Sequence, residues 1–139
     1  MNVEDEIENA DLLRNIFGEW PSFHDAEIVS MRLERGPLAP FLEAAIHVFK
    51  MTSEIDPQGF YILTNHTLAI IRFSGIVHCE LEGFNHQNAI DGLGVRQVSD
   101  GEGRFAVRML ANNGCDARFN CDSIAVVDAT PFVPPGAPV

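Results

Sequence analysis

The apolar spacing of this chain changes abruptly between residues 18 and 25, and this change most restricts the folds open to it. Gly18 and Pro21 end a helical pattern there, since glycine adopts positive φ and proline cannot continue a helix. From Asp25 onward, apolar residues alternate with a period of two, as in a β-strand. One leading helix capped by Asn2 is therefore predicted, followed by strands. The helical stripe repeats every three or four positions and consists of Val3, Ile7, Ala10, Leu13 and Phe17.

Turn residues separate the apolar segments that follow, which predicts strands joined by short turns. The predicted strands cover residues 25–35, 41–51, 66–73, 76–82, 104–110, 114–121 and 124–128. The hairpin through 111–114 is the clearest, whereas 53–65 and 83–94 are predicted to be loops, the latter with one short helical turn. Such a succession favours an antiparallel, meandering sheet with the helix on one face. The predicted fold class is α+β, mainly β, and a strongly curled sheet or partial barrel is compatible with it.

The length of the chain fits one folding unit. With 139 residues, 46% of them hydrophobic, it can form a packed core, and we expect a single domain over residues 1–130. Residues 131–139 form a proline-rich tail, and proline is excluded from the interior of a sheet. We expect this tail to lie on the surface or to be disordered.

The chain resembles neither an exported nor a membrane-spanning protein. Its first residues are acidic, whereas secretory signals begin with basic and then apolar residues. No window approaches the roughly 20 apolar residues that cross a bilayer. We therefore expect a cytoplasmic protein. The cysteines have no CxxC spacing and lie among apolar neighbours, so buried free thiols are expected at Cys79, Cys115 and Cys121.

The formal net charge is −11, and the acidic residues are concentrated at the amino end. Residues 1–27 contain Arg14 as their only basic side chain. Such a field repels DNA, RNA and anionic lipid, so nucleic acids and membranes are not expected as partners. It would instead accelerate encounter with a basic protein.

The most unusual polar cluster is His24, Asp25 and Glu27. Imidazole and carboxylate groups suit divalent metals and acid–base chemistry. Strand alternation places His24 opposite the two carboxylates, which weakens the case for a shared metal. Both carboxylates begin a face whose later members resemble core, and alternation assigns that face to Asp25, Glu27, Val29, Met31 and Leu33.

Three interpretations of this cluster remain open. The polar groups can fix the Trp-Pro turn through backbone hydrogen bonds, which is a usual task of Asp in turns. They can contact a partner. They can also belong to a small metal-dependent enzyme, which requires Asp25 and Glu27 to meet one of the distant histidines, His47, His66 or His86.

A second polar stripe comprises His78, Glu80 and Glu82, which alternate along a predicted strand. Arg104 and Arg108 lie on another strand and are expected to pair with this stripe across the sheet. The opposite side of the same strand is expected to be core and consists of Val77, Cys79 and Leu81. A solvated, salt-bridged surface and a contact surface for a basic partner are both compatible with this pattern. The amides of residues 85–88 are expected to satisfy the backbone of their own loop or to bind a polar ligand.

Several of these segments together resemble the immunity protein 50 family of bacterial polymorphic toxin systems. The segments are WPSFHDAEI at 20–28, an aromatic-rich strand pair, GFNHQNAI at 83–90 and a closing hairpin. The resemblance spans roughly Phe17 to Val127 and is sharpest at residues 20–27. Members of the family are predicted antitoxins that are encoded beside a secreted toxin and bind it.

The resemblance implies a non-catalytic antitoxin with no cofactor and no metal, whose partner is a cognate protein toxin. An acidic antitoxin would be attracted to a toxin with a basic active-site cleft. An enzyme, or a structural or regulatory module without a toxin partner, remains an alternative. The residues proposed as motif or partner contacts are Trp20, His24, Asp25, Glu27, Glu80 and Glu82.

Overall fold

The computed structural model describes residues 2–99 and 101–133. A 3-10 turn, Val3–Glu6, and helix α1, Asp11–Phe17, precede the strands. The strands are β1 Glu27–Glu34, β2 Phe41–Ile55, β3 Tyr61–Ser74, β4 Val77–Glu82, β5 Ala89–Gln97, β6 Phe105–Asn113, β7 Asp116–Cys121 and β8 Ser123–Pro131. The predicted α+β, mainly β class is confirmed. None of the helical segments in this described part of the chain could span a bilayer.

All eight strands form one antiparallel sheet in the order β4-β7-β6-β5-β1-β2-β3-β8. The sheet does not close into a barrel, because β4 and β8 remain its edges. Its weakest join is between β5 and β1, where Glu27 and Ala89 are the only registered pair. This join divides the sheet into a β4-β7-β6-β5 half and a β1-β2-β3-β8 half.

The two halves curl toward each other and share one core. Phe73 on β3 and Phe119 on β7 lie in opposite halves, yet their rings meet edge to face with centroids 5.0 Å apart. Both side chains are buried, as are Leu13 and Phe17 of α1. The strong curl compatible with the sequence is therefore present, and α1 adds to the same core.

The prediction of one continuous leading helix is wrong, because the chain leaves helical geometry between the 3-10 turn and α1. Asn9 adopts a positive φ of 59°, and Glu8 forms a parallel bridge to Ala125, so the backbone leaves helical geometry before α1 begins. The side chain of Asn2 makes no capping hydrogen bond. Gly18 ends α1 as predicted, with φ 83° and its N–H donating to the carbonyl of Arg14.

Most of the predicted loop at 53–65 and the second half of the predicted loop at 83–94 are strand instead, whereas residues 83–88 lie outside the strands as predicted. β2 and β3 extend through most of residues 53–65 and turn at 56–60, and residues 89–97 are β5 rather than a helical turn. Residues 60–64, Phe-Tyr-Ile-Leu-Thr, have strand propensity, and the turn residues Pro57 and Gly59 made the whole segment resemble a loop. In β5, Gly92 and Gly94 lack strand propensity, and pairing with β6 supplies the stabilisation.

The prediction that Val29 shares one face of β1 with Met31 and Leu33 is wrong, because a β-bulge interrupts the first half of the strand. Ile28 pairs with Ile46 but Ser30 pairs with Ala45, so Val29 is an extra residue. The bulge reverses the alternation, and Ile28 is buried while Val29 is 46% exposed. The side facing the buried part of β2 is formed by Ile28, Met31 and Leu33.

β4 does not contribute the predicted buried face. All six of its residues are exposed, including Val77, Cys79 and Leu81. This strand lies at the edge of the sheet, and its register to β7 shifts between Val77 and Glu80. Cys115 and Cys121 are buried as expected, and all three thiols are free.

The proline-rich tail begins inside β8. Pro131 pairs with Thr67 at the end of this edge strand, a position that tolerates a residue without N–H. Phe132 follows and donates its backbone N–H to the carbonyl of His66. Residues 134–139 lie outside the described residues, so the prediction for that part of the tail stays a prediction.

Candidate functional site

The two segments that carry the most distinctive sequence, 22–28 and 85–91, meet at the join between the two halves of the sheet. Regular strand pairing contributes little here, since β1 and β5 share a single registered pair. Most of the hydrogen bonds at the join are therefore formed between these two segments. Three of these bonds join backbone groups at 2.9 Å: the N–H groups of Asp25, Ile90 and Ile28 donate to the carbonyls of Ile90, Ala26 and Asn88, respectively. In the fourth, the N–H of Asn88 donates to Oε1 of Glu27 at 3.0 Å.

The backbone before β1 is bent by two residues with positive φ. Phe23 has φ 60° and Asp25 has φ 63°. Aspartate enters this region readily, but a bulky residue such as Phe seldom does, so its surroundings must hold it there. Phe23 is 2% exposed, and its ring lies 5.6 Å from that of Trp20. The contact between partly buried Trp20 and buried Phe23, together with the hydrogen bonds to β5, fixes this turn.

The turn separates the two carboxylates that alternation placed on one face. Asp25 precedes β1 rather than belonging to it, so the predicted shared face of Asp25 and Glu27 is wrong. The Asp25 carboxylate instead accepts a hydrogen bond from the Asn112 amide at 3.3 Å and lies 3.5 Å from the His24 imidazole. Glu27 is partly buried and accepts the N–H of Asn88.

Asn88 is the central polar residue of the join. It is 2% exposed, and its Oδ1 accepts the N–H groups of Asn85 and Cys115 at 2.9 and 3.1 Å. Its Nδ2 donates to the carbonyl of Asn85 at 2.8 Å. The loop amides therefore satisfy backbone groups, as one of the two sequence interpretations expected. Sequence reasoning did not single out Asn88, and no local signal distinguishes it from its amide neighbours.

The second polar stripe lies in a different place, along a groove of about 570 Å³ on the outer face of the β4-β7-β6-β5 half. His78 and Glu80 line it together with Arg96, Arg108 and Arg118. Glu82 is exposed further along β4. The groove thus concentrates basic side chains on the surface of an acidic protein.

The predicted pairing of Arg104 and Arg108 with this stripe is wrong. Arg118 on the adjacent strand β7 is the partner of Glu80, at 2.8 Å, because Glu80 and Arg118 are in register. Arg104 pairs instead with Glu6, Arg108 with Asp116, and His78 with Glu102. Hydrogen bonding from the Arg108 guanidinium holds the pKa of the Asp116 carboxyl below its usual range.

Of the histidines proposed for a metal-dependent enzyme, His47 lies directly opposite Glu27 in the register of β1 and β2, but its imidazole contacts that of His66, with Nε2 and Nδ1 2.9 Å apart. The ring of Phe132 is tilted against that of His47, with centroids 4.7 Å apart. Among residues 2–99 and 101–133, no group of three or more His, Cys, Asp or Glu side chains is arranged to hold a metal. Burial raises the pKa of the Cys121 thiol to about 12, which leaves it protonated at neutral pH.

The His47–His66 contact predicts stability that depends on pH. Burial, and secondarily the charge of His66, lower the pKa of His47 in the folded protein. The unfolded chain therefore binds protons first as pH falls through about 6.5, and the stabilisation present above that pH is lost below it. We expect the urea midpoint to fall between about pH 7.5 and 5.5, and to fall less in His47→Gln than in the wild type. An equal fall of the urea midpoint in His47→Gln and in the wild type would contradict this prediction. His86→Gln, at an exposed position, is the control and should behave like the wild type.

Comparison with known proteins gives one match. The family model described as Immunity protein 50 matches residues 9–132, which is most of the chain. No curated protein and no solved structure matches. The matched region includes both segments of the join and every strand of the sheet.

Proposed function

The chain belongs to the immunity protein 50 family, and on that premise we propose that it binds and neutralises a cognate protein toxin in the cytoplasm without catalysing a reaction. The family match is the observation that carries this proposal. The match covers residues 9–132 and so includes every strand of the described sheet.

The distribution of charge supports a basic partner. Among the described residues, six of the nine Lys and Arg side chains are engaged in ion pairs with carboxylates, namely Arg14, Arg32, Arg72, Arg104, Arg108 and Arg118. Carboxylates outnumber basic residues 20 to 9, so the surface that remains is strongly acidic. Such a surface steers a basic toxin toward the protein and raises the association rate.

The candidate contacts divide into two groups by their position. Trp20 and Glu27 are partly buried and support the join, so we assign them to the scaffold. The others remain proposed toxin contacts because they are solvent-exposed or half-exposed: His24, Asp25, Glu80 and Glu82.

The test uses the toxin encoded by the gene adjacent to that of this chain. Co-expression is expected to restore growth of cells that produce this toxin, and the purified proteins are expected to bind each other. We expect the Kd to rise about tenfold or more between low and high salt, because screening weakens the attraction between oppositely charged surfaces. Failure to bind and to restore growth at either salt concentration would reject the proposed function for that toxin.

A further inference from the structure

Strands β2 and β3 extend well beyond the strands beside them. β1 pairs with β2 only as far as His47, and β8 pairs with β3 only as far as Thr67. Residues 49–65, which we call the arm, therefore form a two-stranded ribbon. Within the described part of the chain, the strands of the arm pair only with each other. The arm presents two free backbone edges and two faces.

The arm displays apolar side chains that the fold leaves uncovered. Met51 pairs with Leu63 and, beyond a shift in register, Ile55 pairs with Tyr61 near the tip of the ribbon. Ile55 and Tyr61 are 60% and 56% exposed, and Phe60 at the tip is 70% exposed. Contiguous exposed apolar side chains of this kind mark interaction surfaces, whereas scattered ones do not.

Hydrogen bonds hold the arm in a defined shape before any partner arrives. At the tip, Asp56 Oδ1 accepts the N–H groups of Gln58 and Phe60, both at 2.9 Å. At the base, the Asn65 amide donates to the carbonyl of Ile16 at 2.8 Å and so ties the arm to α1. A preorganised loop loses little conformational entropy on binding, which favours affinity.

The net charge of the protein favours a different protein, rather than a second copy of the chain, as the binding partner of the arm. Two copies, each with a net charge of −11, repel each other. The charged residues of the arm are Lys50, Glu54 and Asp56, so its tip is acidic as well as apolar. This combination complements an apolar cleft whose rim carries Lys or Arg.

We propose that the arm inserts into an apolar cleft with a basic rim on the cognate toxin and provides the main binding contact. The inference rests on the proposed function and specifies the surface through which it acts. Aromatic residues at the centre of an interface supply most of its binding energy, and Phe60 and Tyr61 occupy that position on the arm.

The test compares two surface variants for binding to the toxin encoded by the adjacent gene. F60S/Y61S removes the two aromatic side chains, and Leu38→Ser is the matched control, 98% exposed in the turn at the opposite end of β2. We expect F60S/Y61S to raise the Kd by about 30-fold or more and Leu38→Ser to leave it unchanged. Both variants should unfold at the wild-type temperature, since the replaced side chains are exposed.

Hydrogen exchange of the wild-type complex provides a readout that does not depend on the folding of a variant. Protection of residues 49–65 on adding the toxin supports the proposal. Wild-type binding with no protection there, or an F60S/Y61S variant that binds as tightly as the wild type, overturns the inference and leaves the proposed function standing. A wild-type protein that forms a dimer through the arm also overturns it. Absence of wild-type binding rejects the proposed function and, with it, the inference.

Discussion

Phe73→Ala is expected to lower the free energy of unfolding by about 3–5 kcal/mol, the usual cost of truncating a buried Phe. The side chain is fully buried and meets Phe119 across the core. Because these rings come from opposite halves of the sheet, the cavity would weaken the packing that keeps the sheet curled. Urea denaturation measures the loss, followed by circular dichroism and by the fluorescence of Trp20, the only tryptophan.

A double-mutant cycle with Phe119→Ala tests whether the contact between halves carries this effect. We expect a coupling energy of about 0.5–1.5 kcal/mol for the edge-to-face pair. Phe60→Ala is the control, since that ring is 70% exposed and its loss should change stability by less than about 0.5 kcal/mol. A loss below about 1 kcal/mol in Phe73→Ala would show that the two halves do not depend on this packing.

Asn88→Ala should destabilise the protein by about 2–4 kcal/mol, since a buried donor or acceptor left without a partner costs about 1–3 kcal/mol. The substitution removes the acceptor of two N–H groups, those of Asn85 and Cys115, and the donor to the Asn85 carbonyl. These groups lie where β1 and β5 have only one registered pair, so few other contacts can compensate. Urea denaturation at neutral pH measures the change.

The matched control is Gln87→Ala, an exposed amide in the same loop that makes one side-chain hydrogen bond, to Asn113. We expect it to cost less than about 0.5 kcal/mol. Wild-type stability of Asn88→Ala combined with loss of toxin binding would reverse the interpretation, because the segment would then serve recognition rather than folding.

The most distinctive segments of the sequence, residues 22–28 and 85–91, thus serve the stability of the fold. The Trp-Pro turn and the amide loop are far apart in the chain, and they meet where the sheet has its weakest join. A join of this kind needs specific side-chain hydrogen bonds because regular strand pairing is nearly absent there. Binding of a partner can then depend on a different surface. The arm is such a surface, although most of its residues were predicted from the sequence to form a loop.

Prediction succeeded where the signal was local. The helix end at Gly18 and the β6–β7 hairpin follow from φ preferences and turn residues that act over a few positions. It failed where a residue depends on a neighbour distant in the sequence. The bulge at Val29 is set by pairing with β2, and the exposure of β4 is set by its position at the edge of the sheet.

The sequence by itself determined the class of fold and the acidic surface, because composition and short-range periodicity are properties of the chain. It also determined the family, through the segments that resemble it. Only the tertiary structure decided that His24, Asp25 and Glu27 do not form one site, that Asn88 lies at the join, and that Phe60 and Tyr61 are exposed at the tip of an arm. The physical reason is that burial and hydrogen-bond partners depend on which strands become neighbours. The hydrogen-bond partners of Asp25 and Glu27, for example, are Asn112 and Asn88, which are 87 and 61 positions away in the chain.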